Sequence, residues 1–497
     1  MYILGISAFY HDSAACLIKD GKIIAAAQEE RFTRSKHDQS FPIHAIQYCV
    51  EESGILIDDI DLISYYENPF LKFKRLICTY ISYAPSGFQS FEQAMSSWLR
   101  KKLWIKNIIK EKLSYNGKII FPEHHESHAA SAFFPSPFKE AALLTMDGVG
   151  EWATTSYGLG KENNIQLIND ICFPHSLGML YSAFTYYTGF RVNSGEYKVM
   201  GLAPYGQAKY KDMIYKHLID VKDDGSFKMD MDYFNYCIGF TMTNDKFHKL
   251  FGGPPRKPES KLTQKEMDLA RSIQEVTEEI ILKIAKHIKK ETGMKYLCLA
   301  GGVALNCVAN GKLLRSGLFD NIWIQPAAGD AGGAVGSALY TWYQYLNNQR
   351  IADDKTDFME GAYLGPEFNN ENIQSFLKKN KYSFKTLLDE ELPEKIADLI
   401  ADEKVIGWFQ GRMEFGPRAL GSRTIIGDAR SSEMQKTMNL KIKYRESFRP
   451  FAPSVKAENI SDYFEIDRES PYMLFVANLR KDKLIPILEE QESSFGF

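Results

Sequence analysis

The run Ala141-Ala142-Leu143-Leu144-Thr145-Met146-Asp147-Gly148-Val149-Gly150 decides how this chain folds. Its first six residues make an apolar stretch of strand length, and the Asp-Gly that follows ends it in a tight turn. Residues 152–157 read as the hairpin partner of that strand. A carboxylate at a strand end, beside glycines that let other groups approach the backbone closely, commonly faces a cleft.

The pattern recurs on both sides. Residues 2–7 and 14–18 are short apolar runs, and Asp20-Gly21 signals a hairpin into residues 23–27. Helical spacing follows over 43–52, and residues 59–65 and 118–121 read as further strands. Residues 265–290 place Met267, Ala270, Ile273, Val276, Ile280, Ile281 and Ile284 on one face of a long amphipathic helix. Residues 296–299 run as a strand into Gly301-Gly302, and 321–324 lead to the turn around Asp330. Two related strand–hairpin–helix halves predict an α/β, bilobal nucleotide-binding architecture, with its ligand between lobes.

Residues 71–115 are aromatic and basic, with Arg100-Lys101-Lys102 and Lys106, and read as a helical insertion with a solvated charged face. A polar stretch over 347–358 reads as a linker. It divides a first domain over 1–350 from a second over 360–497, which opens with helices over 370–378 and 392–402 and a buried strand over 405–409.

The bulk properties set limits on function. A chain of 497 residues exceeds one ordinary core, so two or three domains are expected. Hydrophobic residues at 44% and charged residues at 25% suit a soluble globular protein. A net charge of −3 gives no overall attraction to nucleic acid or to an anionic membrane. No apolar run approaches the ~20 residues of a membrane span. Residues 1–6 have no basic n-region, so no signal peptide is expected. Seven cysteines without a Cys-x-x-Cys point to reduced thiols and a cytoplasmic location.

Four places in the first domain carry candidate chemistry. His124 and His128, spaced i, i+4, share one helix face and form a usable metal chelate. Alone they read equally as surface or capping histidines. With Asp147 and Asp330 they make an N/O donor set suited to iron, manganese or zinc. The glycine turns at Gly148 and Gly150, at Gly301 and Gly302 before Asn306, and at Gly332-Gly333 allow phosphate oxygens close to backbone N–H groups. Neither a Walker run nor a Rossmann fingerprint is present. His11, followed by Asp12, reads as a general base with an orienting carboxylate, or as a structural turn histidine. In the polar loop over 193–206, Glu196 and Lys198 contact nucleotide or pair with each other.

The second domain holds the densest positive cluster. From Arg412 to Arg449 there are nine basic and four acidic residues, a local charge of +5 interleaved with glycines. Arg412, Arg418, Arg423 and Arg449 are the candidates for phosphate, since a guanidinium fork matches its oxygens. Sparse aromatic interleaving argues against a nucleic-acid groove.

Six stretches resemble the O-carbamoyltransferase family of nodulation, cephamycin and tobramycin type. They are 11–15 (His-Asp-Ser-Ala-Ala), 29–37 (Glu-Glu-Arg-Phe-Thr-Arg-Ser-Lys-His), His124-x-x-x-His128, 195–203 (Gly-Glu-Tyr-Lys-Val-Met-Gly-Leu-Ala), 301–306 (Gly-Gly-Val-Ala-Leu-Asn) and 411–423 (Gly-Arg-Met-Glu-Phe-Gly-Pro-Arg-Ala-Leu-Gly-Ser-Arg). The resemblance implies an actin/sugar-kinase-like first domain and a YrdC-like second domain. It implies that carbamoyl phosphate and ATP form a carbamoyl-adenylate in the second domain. The carbamoyl group then passes to an acceptor hydroxyl in the first, with a divalent metal, iron(II) by family pattern, and Mg2+ accompanying ATP. His124, His128, Asp147 and Asp330 match the metal positions, His11 the base, and Arg418 the adenylation motif. Family members continue past 470–475 (Ser-Pro-Tyr-Met-Leu-Phe) to a Leu-Asn-Thr-Ser-Phe-Asn type motif that is not found here. The YrdC-like domain is therefore expected to be incomplete within these 497 residues.

Two other functions fit parts of the sequence. A sugar-kinase-like ATP phosphotransferase would use the first domain alone and leaves the arginine-rich domain without a task. A catalytically impaired nucleotide-binding protein would bind ATP without forming AMP. The expected partners are carbamoyl phosphate and a hydroxyl-bearing small molecule, with no nucleic acid and no membrane. A homodimer is one assembly the sequence allows.

Overall fold

The computed structural model describes residues 1–484. The chain forms two compact units: Met1–Met359 together with Leu474–Val476, and Glu360–Met473 with the described residues after Val476.

The first unit is built on two five-stranded sheets. In one, β1 (Tyr2–Ser7), β2 (Ala14–Lys19) and β3 (Lys22–Gln28) run antiparallel, while β4 (Leu62–Tyr65) and β5 (Lys118–Ile120) continue parallel to β1. The spatial order is β3-β2-β1-β4-β5. Asp20 and Gly21 take φ of 50° and 82° at the first hairpin, as Asp-Gly does in a tight turn.

The other sheet repeats this plan. β6 (Glu140–Met146), β7 (Ala153–Lys161) and β8 (Asn164–Cys172) are antiparallel. A short separate pair, β9 (Ile219–Val221) and β10 (Phe227–Met229), intervenes in the chain. β11 (Tyr296–Ala300) and β12 (Asn321–Ile324) then add parallel to β6, giving the order β12-β11-β6-β7-β8. The same order and the same mix of directions occur in both sheets, which is the actin/sugar-kinase-like arrangement.

The core lies where the sequence is most apolar: Ile3, Leu4 and Ile6 of β1 and Ala141, Ala142 and Leu144 of β6 are fully buried. The helix Asp330–Tyr340 sits against both β1 and the helix His124–Phe133. Glycine makes this approach feasible. A Cβ on Gly5 would meet the Ala334 carbonyl oxygen at 1.9 Å, and one on Gly336 would meet that of Ser127 at 1.8 Å. Gly332 and Gly333, expected in a turn, lie in the first turns of this helix, where a Cβ would strike Ala327 and Tyr66. The long helix runs over Gln264–Thr292, opened by a Thr263/Glu266 capping box and closed by left-handed Gly293.

Arg350 closes the other end of the His124–Phe133 helix. Its buried guanidinium donates to the carbonyl oxygens of Phe133 (3.0 Å), Phe134 (3.0 Å), Ser136 (2.7 Å) and Phe138 (2.8 Å).

The second unit is thinner. Helices Asn370–Lys379 and Leu392–Ala401 bury no residue fully, and among the described residues β13 (Ile406–Phe409) pairs only with β14 (Arg423–Ile426). The strand expected to be buried at 405–409 alternates instead between half-buried and exposed, because a two-stranded ribbon leaves its outer face open. No helix among the described residues is long and apolar enough to cross a membrane. All seven cysteines are free thiols.

Candidate functional site

The His124–Phe133 helix starts at a Glu123/Glu126 capping box, and the Glu151 carboxylate accepts the backbone N–H of His124 at 3.0 and 2.9 Å. Both imidazoles therefore project from the first two turns. His124 Nε2 lies 3.0 Å from Asp147 Oδ2 and 3.7 Å from Asp330 Oδ1, while His128 Nε2 lies 3.7 and 3.8 Å from the same oxygens. One donor atom from each of the four side chains falls within a common 4.8 Å. Asp147 stands just past the end of β6 and is fixed by the N–H of Gly302, which reaches its Oδ1 at 3.1 Å. Asp330 opens the Asp330–Tyr340 helix.

These groups are buried and under-satisfied. Among the described residues, both oxygens of Asp330, both ring nitrogens of His128 and Nδ1 of His124 have no hydrogen-bond partner. The neighbouring Tyr66 hydroxyl and Ser127 hydroxyl share that condition. Buried polar groups are otherwise nearly always paired, so this concentration marks a place built around something else. Two imidazoles and two carboxylates fit a divalent cation.

The electrostatics agree. Burial opposes charge on His124, but its bond to Asp147, with Glu67 and Asp330 nearby, raises it to about 10. Burial would push Asp147 up, yet the two imidazoles facing it hold it well below the ordinary carboxylate value. Asp330 is held above that value by burial, with the charge of Asp147 adding to it.

His11 lies at the rim, its Nε2 3.9 Å from Asp330 Oδ2. Its Nδ1 pairs with Asp12 Oδ2 at 2.9 Å, and Asp12 Oδ1 pairs in turn with His37 Nδ1 at 2.8 Å. Asp12 and His37 both adopt left-handed φ, 56° and 57°, and such strain persists where the surroundings demand it. Against the effect of burial, Asp330 and the bonded Asp12 raise His11 to about 9.

The structure divides the remaining candidates. Gly150 comes close to this centre, where a Cβ would meet the rings of His125 and His124 at 3.0 to 3.2 Å, whereas one on Gly148 would meet only Met179 Sδ at 3.9 Å. Gly301, at φ 89°, lets the turn pass the Met146 carbonyl oxygen, which a Cβ would meet at 2.1 Å. Asn306 caps the helix Cys307–Arg315 and exchanges amide hydrogen bonds with Gln274. Glu196 accepts from the Ser182 hydroxyl and from the N–H groups of Asn193 and Gly195, while Lys198 lies over the Phe190 ring.

In the second unit the Glu414 carboxylate accepts the N–H groups of Leu420, Ser422 and Arg423, so the loop carrying half-buried Arg418 wraps around it. Arg423 stacks on Phe409 and donates to the carbonyl oxygens of Gln410, Ser422, Pro366 and Gly411. Arg412 donates to those of Leu364 and Gly365, and Arg449 reaches Glu446 at 3.4 Å. The guanidinium of Arg423 thus organises its own loop. Three residues beside the first-unit centre escaped the sequence reading: Glu67, Lys72 and Glu151. The one signal for Glu67 is its position just past a strand, like that of Asp147.

The family model for the carbamoyltransferase N-terminus matches residues 2–339, and that for the carbamoyltransferase C-terminus matches 397–492. The chain belongs to the carbamoyltransferase family. A Synechocystis sp. protein, sll1178, is 60% identical over all of this chain and 82% of its own length. Nodulation protein NolNO of Sinorhizobium fredii is 36% identical over 96% of this chain and 67% of its own length. Among solved structures, component A of the (R)-2-hydroxyglutaryl-CoA dehydratase of Acidaminococcus fermentans is similar over 69% of this chain, at 16% identity and a TM-score of 0.35. The chain is thus an enzyme, a carbamoyltransferase, and the four-residue centre lies inside its N-terminal family region.

Proposed function

We propose that this carbamoyltransferase is an ATP-dependent O-carbamoyltransferase acting on a hydroxyl of a small-molecule or glycoside acceptor. The observation that supports it best is the buried convergence of His124, His128, Asp147 and Asp330, with unpaired donor atoms, beside His11. Those four residues would hold a divalent metal, iron(II) in our reading. When bound it supplies a Lewis acid that favours charge developing on a carbonyl or phosphoryl oxygen.

In the residues after 360, water hydrolyses carbamoyl phosphate to carbamate and inorganic phosphate; a carbamate oxygen then attacks the α-phosphorus of ATP, accompanied by Mg2+, and pyrophosphate leaves. Arg418 stabilises the negative charge of that step. In the N-terminal region the acceptor oxygen attacks the carbamoyl carbon, and AMP departs as the C–O bond to its phosphate breaks. A cation held by Asp147 and Asp330 would offset the negative charge that keeps His11 protonated, and the neutral ring then takes the hydroxyl proton at Nε2, with Asp12 holding it through Nδ1. Gly150 and Gly301–Gly302 let the backbone pass close to His124, Met146 and Asp147, which keeps the centre compact.

Incubation with ATP, carbamoyl phosphate and a panel of sugars tests this. Pyrophosphate and AMP release, together with product heavier by one carbamoyl group, is the expected result. ADP formed without any requirement for carbamoyl phosphate would replace the proposal with a sugar-kinase-like phosphotransferase. ATP binding without AMP formation would favour a nucleotide-binding protein.

A further inference from the structure

Behind His124 lies a buried ion pair that the transfer chemistry does not use. Glu67 follows β4 and is 5% exposed, and Lys72, on the helix Pro69–Tyr83 of the basic insertion, is 7% exposed. Lys72 Nζ lies 2.5 Å from Glu67 Oε2, and the same oxygen lies 3.6 Å from His124 Nδ1. The Lys72 ammonium also lies 5.1 Å from the centre of the Tyr10 ring, next to His11. A buried ion pair loses much of its hydration, so its presence calls for a reason beyond stability.

The geometry of His124 supplies one. Its Nε2 faces Asp147 and Asp330, so Nδ1 must carry the proton whenever Nε2 donates its lone pair to a cation. That Nδ1 is buried and has no hydrogen-bond partner among the described residues. The Glu67 carboxylate is placed to accept it once a shift of roughly 0.8 Å brings the gap to a charge-assisted bond length. We propose that Glu67, whose buried charge Lys72 offsets, is a positioning residue that accepts the Nδ1 proton of His124 and aims Nε2 at a cation shared with His128, Asp147 and Asp330. This rests on the metal reading of the four-residue centre. On this account part of the insertion is an inner wall of the site, not a solvated charged face.

The test is titration of the metal-free full chain with Co(II), followed by absorbance and checked by calorimetry, with unfolding temperature recorded for each variant. Glu67→Gln, which keeps the shape and removes the charge, should raise the Co(II) Kd about 10- to 100-fold, the range found when partners of metal-bound histidines are removed. Lys72→Met removes a positive charge near the cation and should leave the Kd unchanged or lower it. The double replacement Glu67→Met/Lys72→Met avoids an unpaired buried charge and should weaken Co(II) as Glu67→Gln does. Glu67→Gln binding like wild type, or Lys72→Met weakening Co(II) as much as Glu67→Gln, would reduce the pair to a structural tie and overturn the proposal. Absence of Co(II) binding by the wild type would overturn the metal reading and this inference with it.

Discussion

The two units use charge in opposite ways. In the first, four ionisable groups from three distant segments meet with donor and acceptor atoms still unpaired. In the second, a run of closely spaced arginines turns largely onto its own neighbourhood: Arg412 and Arg423 onto backbone carbonyls, Arg430 onto Asp428, Arg445 onto Asn439 and Arg449 onto Glu446. Density of charge along a sequence therefore says less about a binding site than whether the folded chain leaves those charges without partners. Burial differs in parallel. β1 and β6 are nearly sealed, whereas β13 and β14 are half open, with Phe409 of β13 exposed and, elsewhere in the second unit, Leu440 and Tyr444.

Four substitutions probe that contrast. Asp330→Asn should abolish both metal retention, measured by elemental analysis, and transfer to acceptor, while ATP–pyrophosphate exchange driven by carbamoyl phosphate persists. Loss of exchange as well would mean that the centre serves both half-reactions. Arg418→Ala should do the converse, removing exchange on the order of 100-fold or more as an electrostatic contact to transferring phosphate is lost, with metal content intact. Arg350→Ala takes the guanidinium donor from the carbonyls of Phe134, Ser136 and Phe138, and from that of Phe133, which Ser136 still serves, and should cost at least about 3 kcal/mol in denaturant unfolding. An unchanged midpoint would show that water replaces the guanidinium. Asn306→Ala should cost only about 1 kcal/mol through its cap, with nucleotide affinity unaltered. A fall in affinity would move Asn306 from scaffold to site.

Much of the frame could be read from periodicity. The hairpins after residues 2–7 and 141–146, the helix near 265–290 and the i, i+4 histidines are local features, set by the residues themselves. Convergence was a weaker inference, because it depends on helix Asp330–Tyr340 approaching two other elements through glycines at 5 and 336. Glu67 and Lys72 were illegible, since nothing in their spacing separates a buried ion pair from two surface charges. The roles of Asn306, Glu196 and Arg423 depend on which hydrogen-bond partners the fold brings near, and spacing along the chain does not contain that information.

The segment Leu474–Val476 belongs to the first unit although it follows most of the second in sequence. Leu474 is buried, its carbonyl oxygen accepts from the Asn310 amide at 3.1 Å, and the Val476 N–H reaches the Cys307 carbonyl oxygen at 3.1 Å. The polypeptide thus leaves the first unit and comes back to it, like thread passed twice through one cloth. Cutting the gene at residue 359 would yield a fragment lacking a stitch beneath helix Cys307–Arg315, and the two units are better dissected by point substitution than by truncation.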